Sequence, residues 1–307
     1  MDFFQTVTES KEVSAEDFVR LVQDASQSIR SEQGRFGNLL ITEKLVKLDP
    51  VGEVLVIGDL HGNLDGFASI LERSKYIHKL DSNKSQTIVF LGDYGDRGTQ
   101  SPELYYCLLR LKLAFPKQVV LLRGNHEGPS DLLASPHDLP TQLQRRFGHK
   151  WVPVYSNLRA LFDDLYNAVY VEGRYLMLHG GLPAKIRSLQ EIAEADRLHP
   201  QKSFLEEILW SDPEERIQGT TPSPRGAGNL FGSRITQEVL NRLNARILIR
   251  GHEATEKGYK INHEGKILTL FSLKGPPYFN SHGAYLELPL AEKFENANQL
   301  IPYIHKL

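Results

Sequence analysis

Short apolar runs rich in β-branched residues alternate along this chain with stretches of helical period. Runs at 53–57, 87–91 and 118–122 lead into glycine, the last by way of Arg123, and then a polar cluster, and read as buried strands. Between them, Leu64, Phe67, Ile70 and Leu71 share one face of a helix over 64–75. A second helix covers 101–114, with Pro102 in its first turn, where proline is tolerated. Upstream, Phe18, Val22, Ala25 and Ile29 predict an amphipathic helix over 14–31, opened by Ser14 with Asp17 three residues later. Gly34 and Gly37 break that helix, and 39–48 leads into the first strand. Runs at 174–178, 246–249 and 266–271 repeat the strand-then-polar pattern, and 284–288 is a last strand before a polar tail. Residues 211–233, rich in Pro, Gly, Ser and Thr, read as one long loop, the kind that is functional or disordered. There are more strands than a single parallel sheet needs, so the expected class is α/β with two packed sheets and helices outside. No composition shift marks a linker. The simplest organisation is one domain over 1–307: an N-terminal helical segment 1–45, a core 53–272 and a tail 285–307.

The polar clusters carry the chemistry. They are Asp59-Leu60-His61-Gly62-Asn63, Asp93-Tyr94-Gly95-Asp96-Arg97-Gly98 and Asn125-His126-Glu127. Their spacing fits one strand–helix–strand unit each, which would set them side by side at one edge of a sheet, where open α/β sheets gather ligands. Carboxylate and amide oxygens mixed with imidazole suit a pair of first-row divalent metals. A shared carboxylate would hold two ions about 3.5–4 Å apart, the spacing used in hydrolytic phosphoryl transfer. Such a reaction also needs arginines to grip phosphate and a histidine oriented by a carboxylate to protonate the leaving group.

Bulk properties narrow the class. A net charge of −2 gives no electrostatic case for nucleic acid or an anionic membrane. The single cysteine, Cys107, cannot form an internal disulfide, and lies at helical spacing with Leu104, Leu108 and Leu111 as a core thiol. No apolar run approaches membrane-spanning length, and the first residues lack the basic stretch of a signal peptide, so a cytoplasmic location is expected.

The three clusters, as Gly58-Asp59-Leu60-His61-Gly62, Gly92-Asp93-Tyr94-Gly95-Asp96-Arg97-Gly98 and Gly124-Asn125-His126-Glu127, resemble the signature motifs of the phosphoprotein phosphatase family of serine/threonine phosphatases, within the calcineurin-like metallophosphoesterases. His179-Gly180-Gly181, Trp210-Ser211-Asp212-Pro213, Arg225-Gly226 and Arg250-Gly251-His252 resemble its later motifs in the same order. The resemblance implies a central β-sandwich flanked by helices, with a dimetal site at the strand ends. Asp59 and His61 would bind one metal, Asp93 would bridge, and Asn125, His179 and His252 would bind the other. His126 would be the general acid held by Asp96. Arg97 and Arg225 would grip the phosphate with help from Asn125, and Asp212 would lie close behind the metals. The implied activity is hydrolysis of phosphoserine and phosphothreonine by in-line attack of a metal-bridging hydroxide. Two divalent ions are implied, Mn²⁺ in vitro with Fe or Zn as alternatives. The implied partners are phosphorylated proteins and regulatory proteins, with no nucleic acid and no membrane.

Two positions depart from the family pattern. Gly95 replaces an aliphatic residue. Leu273-Lys274-Gly275-Pro276-Pro277-Tyr278 replaces the eukaryotic loop that binds natural-product inhibitors, although Tyr278 could still overhang the site. The rival readings are a dinucleoside-polyphosphate hydrolase using the same metals, and a metal-stabilised scaffold without turnover. Among the other charged site neighbours, Arg250 is expected to pair with a carboxylate and Glu127 to support the ligands or a helix start. His78, His137, His149, His199, His263, His282 and His305 carry no spacing signal and default to the surface, while Trp151 and the tyrosines of 155–170 default to the core.

Overall fold

Two β-sheets lie face to face in the computed structural model, which describes residues 2–307. In the five-stranded sheet, Glu53–Ile57, Thr87–Phe90 and Val119–Leu121 run parallel and adjacent. Ala284–Pro289 pairs antiparallel with the first of these, and Ile304–Lys306 forms the edge. Helices Leu64–Ser74 and Ser101–Ala114 supply the crossovers, so the three carboxyl ends emerge along one edge. The eight-stranded sheet has Tyr175–Leu178, Ile247–Arg250 and Ile267–Leu270 as its own parallel neighbours.

The period-two rule explains the sandwich. Val169, Val171, Tyr175, Met177, Ile247, Ile249, Leu268 and Leu270 join the core shared with the five-stranded sheet. The alternate residues Ala168, Tyr170, Leu176, Leu178, Leu248 and Ile267 face a second core, which includes helices Phe204–Trp210 and Ser233–Arg242. With both faces covered, every residue of Thr87–Phe90 and Val119–Leu121 is buried, which is why those runs read as continuous rather than alternating. The α/β sandwich expected from the motifs is the observed fold.

Several segments differ from the sequence reading, among them helices Tyr76–Ser82, Leu139–Phe147 and Trp151–Phe162 and strand Ala168–Val171, none of which it predicts. Phe3–Glu12 is a helix capped by Asp2 with no apolar stripe in its sequence, since two of its three buried residues, Thr6 and Ser10, are polar. The expected helix is present as Ala15–Ser31, with the Ser14 hydroxyl oxygen accepting from Asp17 N at 3.1 Å. Residues 34–48 form three strands, Gly34–Phe36, Leu39–Thr42 and Leu45–Leu48, so helix does not extend to 45. Gly37, with φ +67°, makes the turn between the first two. The stretch 211–233 is not one open loop: Asp212–Pro213, Thr220–Pro222 and Asn229–Phe231 pair as a small sheet. In the tail, Phe294, Ala297 and Leu300 are buried, and the last strand closes the five-stranded sheet. Cys107, Tyr166 and Tyr170 are core residues as expected, whereas Trp151 and Tyr155 are half-buried. No helix among the described residues is long and apolar enough to cross a membrane.

Candidate metal centre and phosphoester cleft

The carboxyl ends of both parallel strand triplets meet at one cleft of about 550 Å³, lined by His61, Asp93, Arg97, Asn125, His126, Arg225, His252 and Tyr278 among others. His179 and Asp59 are fully buried and touch the lining residues from behind. Five residues of the site, His61, Asp93, Asp96, Arg97 and His252, hold positive φ between 43° and 70°. Left-handed backbone is costly for residues with a Cβ, and such strain concentrates at functional sites. Tight glycine packing supports these turns. A Cβ on Gly124 would strike Asp93, and one on Gly98 would strike the carbonyl of His61.

Asp93 stands between two imidazole groups. Its Oδ2 lies 3.6 Å from His61 Nε2 and its Oδ1 lies 3.4 Å from His179 Nε2. Asp93 groups with His61 and His126 on one side and with His179 and His252 on the other, each set of donor atoms falling within 4.8 Å of one another. Asp59 Oδ2 lies 3.8 Å from His61 Nε2 and has no hydrogen-bond partner, while Asp59 Oδ1 accepts from His252 N at 2.9 Å.

The tautomers follow from backbone carbonyls. His61 Nδ1 donates to Gly95 O and His179 Nδ1 donates to Leu91 O, both at 2.9 Å. Each ring therefore turns a bare Nε2 lone pair into the site. His179 Nε2 then faces His252 Nδ1 at 3.2 Å, and the Asn125 amide oxygen sits 2.9 Å and 3.0 Å from those two nitrogens. That oxygen faces only acceptors, since both Asp93 oxygens also lie within 3.2 Å of it. Either the amide is turned to present its nitrogen, or a cation belongs among these lone pairs. The orphaned Asp59 Oδ2 and the unpartnered buried His252 Nε2 favour the cation.

The electrostatics agree. Burial pushes the Asp59 carboxyl up to about 7, and burial with Asp59 and Glu127 as neighbours raises Asp93 well above the carboxylate range. Burial, then His126, pulls His61 down to about 3, and burial depresses His179 and His252 well below the ordinary imidazole value. With no cation the cluster suppresses its own charges; a divalent ion would reverse that balance for the carboxylates. The donor set fits a pair of divalent metals.

Beside the cluster, His126 Nδ1 bonds Asp96 Oδ2 at 2.6 Å. Burial opposes charge on Asp96, but hydrogen bonds from His126 and His137 hold its carboxyl far below the usual range. Being ionised and acceptor-only, Asp96 fixes the proton on His126 Nδ1 and leaves Nε2 as the ring nitrogen free for the cleft. Arg97 binds Ser135 O through Nη2 at 3.0 Å, with its Nε unpartnered. Arg225 Nε donates to Asp212 Oδ2 at 2.6 Å, and Arg250 Nη2 donates to Asp212 Oδ1 at 2.8 Å. Among the described residues Asp212 bonds these arginines rather than any ligand candidate. Arg250 pairs with carboxylates as expected, Glu253 being the second.

All ten expected site residues converge here. Glu127 supports the ligand loops. It is fully buried and accepts from Asp93 N, Tyr94 N, Gly124 N and Tyr105 Oη. Gly95 is explained by Tyr105, whose ring would lie 2.9 Å from a Cβ there. Tyr278 does overhang the site, its hydroxyl 3.1 Å from His61 Nε2.

Three surface expectations fail. His199 is largely enclosed, its side chain 11% exposed and its Nε2 2.8 Å from Asp131 Oδ2. His263 is buried against Thr236, bonded through Nδ1 at 2.8 Å. His137 belongs to the site: its Nδ1 lies 2.8 Å from Asp96 Oδ2 and its Nε2 lies 2.9 Å from Tyr155 Oη. The only trace of this in the sequence is Pro136-His137-Asp138-Leu139-Pro140, which reads simply as a helix start.

The calcineurin-like phosphoesterase family model matches residues 52–256. A probable serine/threonine-protein phosphatase of Encephalitozoon cuniculi is 36% identical over 273 residues, covering 88% of this chain and 57% of that protein. The serine/threonine-protein phosphatase 4 catalytic subunit of Eremothecium gossypii is 32% identical over 71% of this chain and 68% of its own length. The chain thus spans little more than half of the first relative. In fold, it resembles a Saccharomyces cerevisiae protein serine/threonine phosphatase with similarity to human PP5, at a TM-score of 0.74 and 23% identity over 96% of this chain and 89% of that one. With the family match covering most of the chain and the signature clusters gathered in one cleft, this protein belongs to the calcineurin-like phosphoesterase family, among relatives named serine/threonine-protein phosphatases.

Proposed function

We propose that this chain is a metal-dependent serine/threonine protein phosphatase, one domain over 1–307. The observation that carries the reading is Asp93 shared between two imidazole groups with the His126–Asp96 pair beside it. Asp59 and His61 would hold one divalent ion, Asn125, His179 and His252 the other, and Asp93 both. Ions held there supply an activated water and polarise the phosphoryl oxygens. Arg97 and Arg225 neutralise the phosphate oxygens by paired N–H donation. For this, Arg225 keeps Nε on Asp212 and turns its terminal nitrogens to the cleft. His126, with Nδ1 committed to Asp96, delivers a proton from Nε2 to the departing serine or threonine oxygen. Asn125 orients the phosphate. Mn²⁺ is the expected ion in vitro, with Fe or Zn as alternatives. The substrates are phosphorylated proteins, regulatory proteins are expected partners, and the location is the cytoplasm.

The test is hydrolysis of a phosphothreonine peptide by metal-stripped protein with Mn²⁺ restored, beside His126→Asn and Asp93→Asn. Turnover that returns only with metal and collapses in both variants is the expected result. Cleavage of diadenosine tetraphosphate but not of the peptide would overturn the substrate class, and metal binding without any ester cleavage would overturn the enzyme.

A further inference from the structure

Asp96 is held by more than the histidine it orients. Its Oδ2 is shared by His126 Nδ1 at 2.6 Å and His137 Nδ1 at 2.8 Å. Its Oδ1 accepts from the backbone of Asp138 at 2.9 Å and of Leu139 at 2.7 Å. A carboxylate offers about four acceptor sites, and here all four are taken. Three of the donors come from one short segment, residues 137–139.

The same segment holds the next residue of the chain. Arg97 N donates to Asp138 Oδ1 at 3.0 Å, and Arg97 Nη2 donates to Ser135 O at 3.0 Å. Asp96 and Arg97 both sit at positive φ, 62° and 69°, a conformation that neighbouring structure has to hold in place. Residues 135–139 do this, with Ser135 itself lining the cleft. Within the segment only His137 supplies a side chain to the oxygen that carries His126.

His137 is itself oriented. Because Asp96 is acceptor-only, His137 Nδ1 carries a proton, and its Nε2 is hydrogen-bonded to Tyr155 Oη at 2.9 Å. The ring is largely enclosed, its side chain 14% exposed. The result is a chain of directed bonds from Tyr155 through His137 to Asp96, which it enters opposite His126.

We propose that His137 is a positioning residue for the general acid. By occupying one lone pair of Asp96 Oδ2, it stops the carboxylate from rotating and leaves a single direction for His126. Resting on the phosphatase reading above, this inference assigns His137 and Tyr155 a part in leaving-group protonation. It also predicts a substrate dependence. An alkyl oxygen leaving from a phosphothreonine needs the proton, whereas a nitrophenolate departs readily without it.

The experiment compares kcat and KM on a phosphothreonine peptide and on p-nitrophenyl phosphate, with Mn²⁺ present, for wild type, His137→Phe and His137→Asn. Phenylalanine keeps the ring volume and loses both hydrogen bonds. The asparagine amide returns a donor near the position of Nδ1. For His137→Phe, we expect kcat on the peptide to fall about 10- to 100-fold, as loss of an orienting partner does elsewhere, with KM within about threefold. The ratio of peptide to aryl-ester turnover should fall at least about tenfold, and His137→Asn should recover most of it. Equal losses on the two esters, a change in KM alone, or no recovery in His137→Asn would overturn the inference while leaving the phosphatase reading intact. A wild type inert toward both esters would overturn that reading and the inference with it. Should His137→Phe melt far below wild type, the ester ratio of Tyr155→Phe, which removes only the hydroxyl bonded to His137 Nε2, decides: a lowered ratio at unchanged KM supports the positioning role, and a wild-type ratio refutes it.

Discussion

Glu127 offers the sharpest test of how the ligand loops are held. Its Oε2 accepts from Asp93 N at 2.8 Å and Gly124 N at 3.2 Å, and its Oε1 accepts from Tyr94 N at 3.0 Å and Tyr105 Oη at 2.8 Å. In Glu127→Gln one of those oxygens becomes an NH₂. Placing the nitrogen at the Oε2 position would orphan two backbone N–H groups. At the Oε1 position it orphans only Tyr94 N, because the Tyr105 hydroxyl can turn and accept. The cheaper arrangement therefore leaves one buried donor unsatisfied, at about 1–3 kcal/mol, and weakens two charge-assisted bonds by about 0.5–1 kcal/mol each. The sum is about 3 kcal/mol. At about 2–4 °C per kcal/mol for a chain of this size, the melting temperature should fall by about 6–12 °C.

The assay is thermal unfolding in excess chelator, so that metal binding does not mask the change, followed by metal titration against a competing indicator. Because Glu127 ties the backbone of Asp93 to that of Gly124, beside Asn125, the substitution should also raise the metal dissociation constant about 10- to 100-fold. A chelator-treated variant melting within about 2 °C of wild type would refute the claim that this carboxylate holds the two loops together.

Three further outcomes are expected. In Gly124→Ala, the new Cβ would strike Asp93 and lie 2.7 Å from Glu127 Oε2, so Mn²⁺ affinity should drop at least about tenfold, read by the same titration. Asp212→Asn frees Arg225 and leaves the fully buried Arg250 short of one carboxylate; KM for a phosphopeptide should rise about tenfold in steady-state kinetics. Lys112 and Glu32 form an ion pair with both side chains inaccessible, joined by the Tyr166 hydroxyl. Lys112→Met should cost about 3–5 kcal/mol in chemical denaturation, and adding Glu32→Leu should restore part of that loss.

What the sequence made legible is what local pattern encodes. The strands that position Asp59, Asp93 and Asn125 are buried on both faces, so each appears as an apolar run followed by glycine, after Arg123 in the third, and then the proposed ligand. The helix Phe3–Glu12 was invisible because Thr6 and Ser10 face inward, which erases the apolar stripe. The strands inside 211–233 were hidden by their brevity and by turn residues, which dominate the local composition.

His137 marks a different kind of limit. Nothing in its own neighbours sets it apart from His78 or His149, which the same reading sends to the surface. Its meaning comes from the docking of residues 135–139 against Asp96, a contact across 41 positions of chain. A ligand emerging from a strand is announced by the strand, whereas a residue that orients another is announced only by the contact. The motif points to His126 as the proposed general acid and to the carboxylate behind it, but which donors fill that carboxylate's lone pairs is a property of packing. Asp96 accepts three of its four bonds from one segment, so the motif residues alone specify the chemistry without specifying the rigidity it requires.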